Sequence, residues 1–264
     1  MKISVVTVCF NSARTIGHTI ESFVRQDHAD KELVIVDGGS TDDTLDIIRS
    51  FPLDDMRISS GPDRGIYDAM NKGLARFTGD AVGFLNSDDR FHDDGILATI
   101  ASGLDKADIV FGDIDFVTDH HSQRVVRRWR SSPYQRGAFG RGWMAPHPSL
   151  YVRRRVAEAV GPFDLRYSIS ADYDWMLRAF ELHGFDARLE QRVFTDMMVG
   201  GKSTGGLGAY VKANLESLQS RRKWLGAGPI DLALFAKPLG KVSQLFDGRI
   251  FQSRGRRWPA TIGD

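Results

Sequence analysis

The chain of 264 residues has one cysteine, Cys9, which excludes an internal disulfide and any metal centre built from several thiolates. It has no apolar run near the about 18 residues needed to cross a bilayer. Its net charge is only +1, so no global field favours nucleic acid, and none is expected as a partner. No G-x-G-x-x-G fingerprint or Gly-Lys-Ser/Thr phosphate loop follows the early strands. The stretch from Met1 to Phe10 begins like a secretory leader but stops at Asn11-Ser12-Ala13-Arg14, without a long hydrophobic region or cleavage site. The expectation is a cytoplasmic chain, and Cys9 reads as a small buried hydrophobe.

With 42% hydrophobic residues, the chain can bury one large α/β core. Charge is distributed unevenly. From Gly201 onward there are 11 basic and 4 acidic residues, leaving 24 basic and 30 acidic before it. A basic tail on an acidic body suits a solvated helix face or an anionic surface.

Strand and helix patterns alternate through the first half. Ile3 to Cys9, Leu33 to Val36, Met56 to Ile58 and Ala81 to Leu85 read as strands. Helical spacing covers Ile16, Ile20, Phe23 and Val24, then Leu45, Ile47 and Ile48, then residues 65–77. Such alternation predicts a mostly parallel central sheet sandwiched by helices, with ligands beyond the carboxyl ends of its strands. Further on, residues 108–112 read as a strand, residues 114–117 and 124–126 as a hairpin turning at His120-His121, and residues 131–146 as a mobile loop. A short strand at 149–152 and helices at 172–182 and 209–224 complete the pattern.

The polar clusters fall at the strand ends. Asp37-Gly38-Gly39-Ser40 can receive a base imide or a ribose hydroxyl, or cap the next helix through Ser40 or Asp42. In Asp63-Arg64-Gly65, the arginine suits a phosphate or a pairing with Asp63. Asp68 and Asn71, three apart, share one helix face. Asn86-Ser87-Asp88-Asp89 ends a buried strand on two carboxylates, which fits either a divalent cation or a polar turn. Asp172 opens a helix, where it either balances the dipole or serves as a general base. His147, between Pro146 and Pro148, is either structural or acceptor-facing.

In order, Thr7-Val8-Cys9-Phe10-Asn11, Val36 to Asp42, Asp63 to Gly73, Asn86 to Asp89 and Ala171 to Asp174 resemble glycosyltransferase family 2, inverting enzymes with the GT-A fold. The resemblance implies that Thr7, Asn11 and Asp37 hold base and ribose, with Asp63 and Arg64 at the base and phosphate side. Ser40, Asp68 and Asn71 join this nucleotide-sugar set. Asp89 is implied as the ligand of Mg²⁺ or Mn²⁺, with Asp88 toward the ribose or sugar and Asp172 as the catalytic base. Many relatives carry Glu-Asp where this chain has Ala171-Asp172, so a neighbouring carboxylate is missing.

The implied domain is 1–205, divided into a nucleotide-sugar half (1–112) and an acceptor half (113–205), followed by a basic helical C-terminal extension (206–264). Gly201 and Ser203, with His147, are expected at a lid or acceptor site. The expected reaction moves a sugar from a nucleoside-diphosphate sugar to a saccharide or lipid-linked saccharide in envelope polysaccharide or glycolipid synthesis. Trp224, Trp258 and the basic run from Arg254 to Arg257 extend that expectation to peripheral contact with the inner face of the membrane. The alternatives are a non-catalytic sugar-nucleotide-binding protein, which has no need of Asp172, and a sugar nucleotidyltransferase, against which the missing phosphate-gripping loop speaks.

Overall fold

The computed structural model describes residues 1–119, 124–199 and 206–226. Strands β1 (Ile3–Cys9), β2 (Lys31–Asp37), β3 (Met56–Ser60) and β4 (Ala81–Phe84) lie side by side in the order β3-β2-β1-β4, all parallel. Helices α1 (Ile16–Val24), α2 (Thr44–Arg49) and α3 (Ile66–Leu74) fall between consecutive strands, as parallel pairing requires. β1 is buried along its whole length, so its apolar residues face two cores in turn. Val5 packs with Ile16, Ile20 and Phe23 on one side, while Val6 packs with Met70, Phe84 and Phe163 on the other.

Beyond β4 the sheet becomes mixed. β5 (Asp89–Phe91), β6 (Ile109–Val117), β7 (Val125–Trp129), β8 (Tyr151–Arg153) and β9 (Ala187–Met198) continue it in the order β4-β8-β6-β9-β5, with β7 on β6 as a hairpin. β4–β8, β8–β6, β6–β7 and β5–β9 are antiparallel, and β6–β9 is parallel. The remaining helices are α4 (Ile96–Leu104), α5 (Arg154–Val160), α6 (Ala171–Leu177), continued by a π-turn over Arg178–Leu182, and α7 (Gly206–Leu225).

The expected strands and helices of the first half are present. β5, β9, α4 and α5 are additions. The segment read as a mobile loop, residues 131–146, is irregular but packed. Phe139 is fully buried at its centre and meets Trp143, Tyr173 and Phe180 edge-on or tilted, at centroid distances of 5.3–5.8 Å. Its aromatic side chains anchor it more firmly than its Gly and Arg content suggests. The His120-His121 turn, Gly201, Ser203, Trp258 and the cluster from Arg254 to Arg257 lie outside the described residues.

The amino end of the sheet is closed by Glu32, which is fully buried. Burial pushes its pKa up. Hydrogen bonds from Ser4 Oγ (2.6 Å), Thr78 Oγ1 and the Thr78 and Gly79 backbone outweigh burial and hold it at about 2.

α3 sits close on the sheet because Gly73 has no side chain. A Cβ there would lie 2.3 Å from Val6 Cγ1. Gly73→Ala is therefore expected to lower stability by about 1–3 kcal/mol, read as a reduced midpoint of urea unfolding.

Candidate active site

The carboxyl ends of β1, β2 and β4 lie along one edge, since Cys9 pairs with Asp37 and Val6 with Phe84. Each end carries one of the expected clusters. Asp37 is fully buried and accepts hydrogen bonds from Ser60 Oγ (2.6 Å), Ser40 Oγ (2.5 Å), and the backbone N–H groups of Ser40 (3.0 Å) and Gly39 (3.1 Å). Burial raises its pKa, but these bonds prevail and keep it below the ordinary value. Asp37 thus shapes the turn, with Ser40 as its partner. Asn11 joins the two strand ends: its backbone N–H donates to Ser40 Oγ at 2.8 Å and its side-chain oxygen accepts from Thr41 N at 2.9 Å. It holds φ at +50°, a left-handed conformation that asparagine tolerates better than most residues. Thr7 is buried, and its hydroxyl finds no hydrogen-bond partner among the described residues.

Gly38 leaves room for Asp63. A Cβ on it would lie 2.5 Å from Asp63 Oδ2 and 3.4 Å from Phe10 Cδ2. Phe10 is 56% exposed. This combination of an open aromatic face, a bare backbone and an acceptor oxygen suits a flat ring bearing an N–H. Asp63 Oδ1 accepts from Gly65 N at 2.8 Å, and Asp68 accepts from the Arg64 backbone (3.1 Å) and guanidinium (3.2 Å). Those bonds fix the start of α3 and leave the Arg64 side chain largely in solvent. Asn71 faces elsewhere: its amide bonds both the N–H and the C=O of Phe163, at 2.8 and 3.0 Å. It holds a loop, and both ends of its side chain are already engaged.

At the end of β4, Asp89 is fully buried and Asp88 only partly so. Asn86 Nδ2 donates to Asp89 Oδ2 at 3.0 Å, while Asp89 Oδ1 and Asn86 Oδ1 have no hydrogen-bond partner among the described residues. Burial pushes both carboxyls above the ordinary value, and the charge of Asp88 pushes Asp89 further. Two adjacent carboxyls and the unpartnered oxygens of Asp89 and Asn86 make a hard-oxygen donor set of the kind Mg²⁺ or Mn²⁺ prefers.

An aromatic bridge connects this end to the candidate base. Phe84 stacks on His147 at 5.1 Å; both meet Phe163, which meets Tyr67 and Trp175 at 5.8 Å each. Burial lowers the basicity of His147, against the opposing charge of Asp172. His147 is therefore a neutral packing residue between the two ends. Asp172, half-buried in the first turn of α6, accepts from Tyr173 N at 2.8 Å and from the Tyr67 hydroxyl at 3.1 Å.

Residues 4–159 match the sequence profile described as glycosyl transferase family 2. The chain belongs to that family. A "PGL/p-HBAD biosynthesis glycosyltransferase" of Mycobacterium bovis (strain BCG / Pasteur 1173P2) is 34% identical over 184 residues, covering 67% of this chain and 69% of that protein. The fold is shared with the mannosyltransferase PcManGT from Pyrobaculum calidifontis, solved with GDP-Man and Mn²⁺ (TM-score 0.64, 19% identity, 94% of this chain and 72% of that one). It is also shared with S. aureus TarS 1-349 in complex with UDP (TM-score 0.63, 18% identity, 88% and 68%). Against the longer S. aureus TarS chain, it spans 44% of that length (TM-score 0.61, 19% identity, 85% of this chain). These are GT-A-type structures, and the mixed sheet with its helices is of that type.

The glycosyltransferase holds a further charged group behind the Asp88–Asp89 end. His92, Asp115 and Asp196 bring ligand-type atoms within 4.8 Å of one another. Asp196, however, takes Arg90 at 2.8 Å and His92 at 2.7 Å, while Asp115 takes Arg128 through both oxygens at 2.5 Å. Two guanidinium groups already neutralise these carboxylates, so the group acts as an ion-pair network that fixes β5 against β9. Among the described residues a cleft of about 160 Å³ flanks α3, lined by Arg64, Tyr67, Leu165 and Tyr167 among others. That is below the about 300 Å³ at which ligand pockets start.

Tyr67 was missed as a site residue, although it lies within the Asp63 to Gly73 motif, because its contact with Asp172 spans 105 positions of the chain.

A carboxyl whose pKa is raised by folding contributes stability while protonated and loses it as pH rises through the folded value. Metal-free protein is therefore expected to lose melting temperature from about pH 4 upward. In Asp89→Asn that loss should be smaller, as read by thermal melts in chelator across about pH 4–8.

Proposed function

We propose that this glycosyltransferase is an inverting enzyme that moves a sugar from a nucleoside-diphosphate sugar to a saccharide or lipid-linked saccharide hydroxyl. The observation that carries the reading is the 3.1 Å hydrogen bond between Tyr67 and Asp172. It ties α3, which Asp63 and Arg64 precede, to the half-buried carboxylate in the first turn of α6, so donor-side and base-side groups share one frame.

Phe10, Gly38 and Asp63 would receive the base, and a base with an edge N–H, uracil or guanine, matches the Asp63 acceptor. The UDP and GDP-Man complexes of the two similar structures agree with this. Thr7, Asn11, Asp37 and Ser40 would shape the ribose side, and Arg64 would face the phosphates. Asp89, with Asp88 toward the sugar, would hold Mg²⁺ or Mn²⁺, which offsets the negative charge gathering on the leaving diphosphate.

Asp172 would accept the proton of the acceptor hydroxyl as its oxygen attacks the anomeric carbon. The bond from that carbon to the β-phosphate oxygen breaks in the same displacement, and the nucleoside diphosphate departs. One displacement inverts the anomeric centre and needs no second, nucleophilic carboxylate. Neutral His147 would form a dry wall beneath the reacting sugar.

For the acceptor, the reading is a lipid-linked or envelope saccharide reached at a membrane face. α7 supports it by exposing Val211 and Leu215 beside Lys212, Arg222 and Lys223. Among the described residues, no helix is long and apolar enough to cross a membrane.

Asp172→Asn is expected to cut release of nucleoside diphosphate by about 10²–10⁴-fold, with donor binding retained. Radiolabelled UDP-, GDP- and dTDP-sugars with Mn²⁺ provide the assay. Binding without turnover under all acceptor extracts would favour the non-catalytic alternative.

Co-sedimentation with anionic liposomes should be strong at low salt and fade as salt screens it. Absence of binding at low salt would remove the membrane component.

A further inference from the structure

We infer that Glu216 on α7, together with Tyr67 on α3, positions Asp172 for the reaction, so that a helix beyond the family-matched residues forms part of the catalytic frame. The inference rests on Asp172 being the base.

α6 lacks an N-cap of its own: Ser170 makes no capping bond, and its hydroxyl donates to Ala213 O at 3.0 Å. The segment that leads into the helix is instead held from a different helix. Glu216, 6% exposed, accepts from the backbone N–H groups of Ser168 (3.1 Å), Ile169 (2.9 Å) and Ser170 (2.9 Å), and from Ser168 Oγ (2.9 Å). One carboxylate thus fixes three consecutive peptides just before α6, whose second residue is Asp172.

Tyr67 holds the same turn from the opposite side. Its single hydroxyl proton is shared between two acceptors, the Ile169 carbonyl oxygen at 2.5 Å and Asp172 Oδ1 at 3.1 Å. The Ile169 residue is therefore gripped at its N–H by the C-terminal helix and at its C=O by the donor-side helix. Asp172 follows three residues later, with its carboxylate touching the same phenol. A shift of about 1 Å in a reacting group can cost 10²-fold in rate, which is the scale on which this grip matters.

Other α6–α7 bonds do not reach the turn. Ser220 Oγ and Trp224 Nε1 donate to Asp174 Oδ1 at 2.8 and 2.9 Å, on the far side of the first helical turn. They supply a control, because they stabilise the same pair of helices without touching residues 168–170.

The test uses the full chain, Mn²⁺ and whichever of UDP-glucose, UDP-N-acetylglucosamine or GDP-mannose supports turnover. Glu216→Gln, which turns an acceptor oxygen into a donor facing N–H groups, is expected to lower kcat by about 10–100-fold. Tyr67→Phe is expected to lower it by about tenfold. In both, donor KM stays within about twofold, since the donor-facing residues are untouched. Ser220→Ala should lose melting temperature but keep kcat.

Wild-type kcat in both Glu216→Gln and Tyr67→Phe would overturn the inference. So would an equal loss of kcat in Ser220→Ala, which would mean simple destabilisation. Tyr67→Phe, lacking only a hydroxyl, carries the comparison if Glu216→Gln does not fold. Asp172→Asn, run alongside, separates the two readings: full turnover there removes the base assignment and the inference with it. An inactive Asp172→Asn beside fully active Glu216→Gln and Tyr67→Phe removes the positioning role alone.

Discussion

Parallel pairing is the constraint on which the other features rest. Once β1 is flanked by β2 and β4 in the same direction, all three strands must finish at one edge. Every turn there emerges at the same edge, so the segments that follow β1, β2 and β4, with Asn11, Asp37 and Asn86, are brought together. α3, brought onto β1 by Gly73, then delivers Asp63, Arg64 and Tyr67 to that edge. The mixed half of the sheet has a different task. It carries β9 back to β5, where Arg90 pairs with Asp196 in register and fixes the strand that begins at Asp89.

The distribution of work among the polar residues follows from burial. Asp37, Asn71 and Asp68 spend their hydrogen-bonding capacity on backbone: the Ser40 turn, the Phe163 loop and the start of α3. Asp88, Asp89 and Asp63 retain oxygens that the protein does not saturate. A sugar transferase needs both kinds of residue, because a preorganised pocket must be rigid before its ligand arrives.

Strands buried on both faces were plain in the sequence, because Leu33 to Val36 is a continuous apolar run and only Ser4 and Thr7 interrupt Ile3 to Cys9. β9 was hidden, since Arg188, Glu190 and Arg192 interrupt it and its burial comes from distant partners on β6 and β5. α4 had the right spacing in Ile96, Leu97, Ile100 and Leu104, but Gly95 and Gly103 break up the pattern. At the site, motifs located Asp63, Asp88, Asp89 and Asp172, yet sequence could not separate Asn71, whose amide is engaged, from residues left open. Glu216 was out of reach for a deeper reason: a carboxylate that binds peptide N–H groups leaves no matching side chain to find.

Glu32 and the Asp88–Asp89 pair stand at opposite ends of the sheet, and their contrast gives the molecule a polarity. At the amino end, the carboxylate is ionised and fully provided for by hydroxyls and peptide groups of the chain itself. At the carboxyl end, Asp89 Oδ1 and Asn86 Oδ1 have no hydrogen-bond partner among the described residues, and the charge of Asp88 lies beside Asp89. The strands thus carry a satisfied carboxylate at one end and unsatisfied acceptors at the other, which is the end where the proposed site lies.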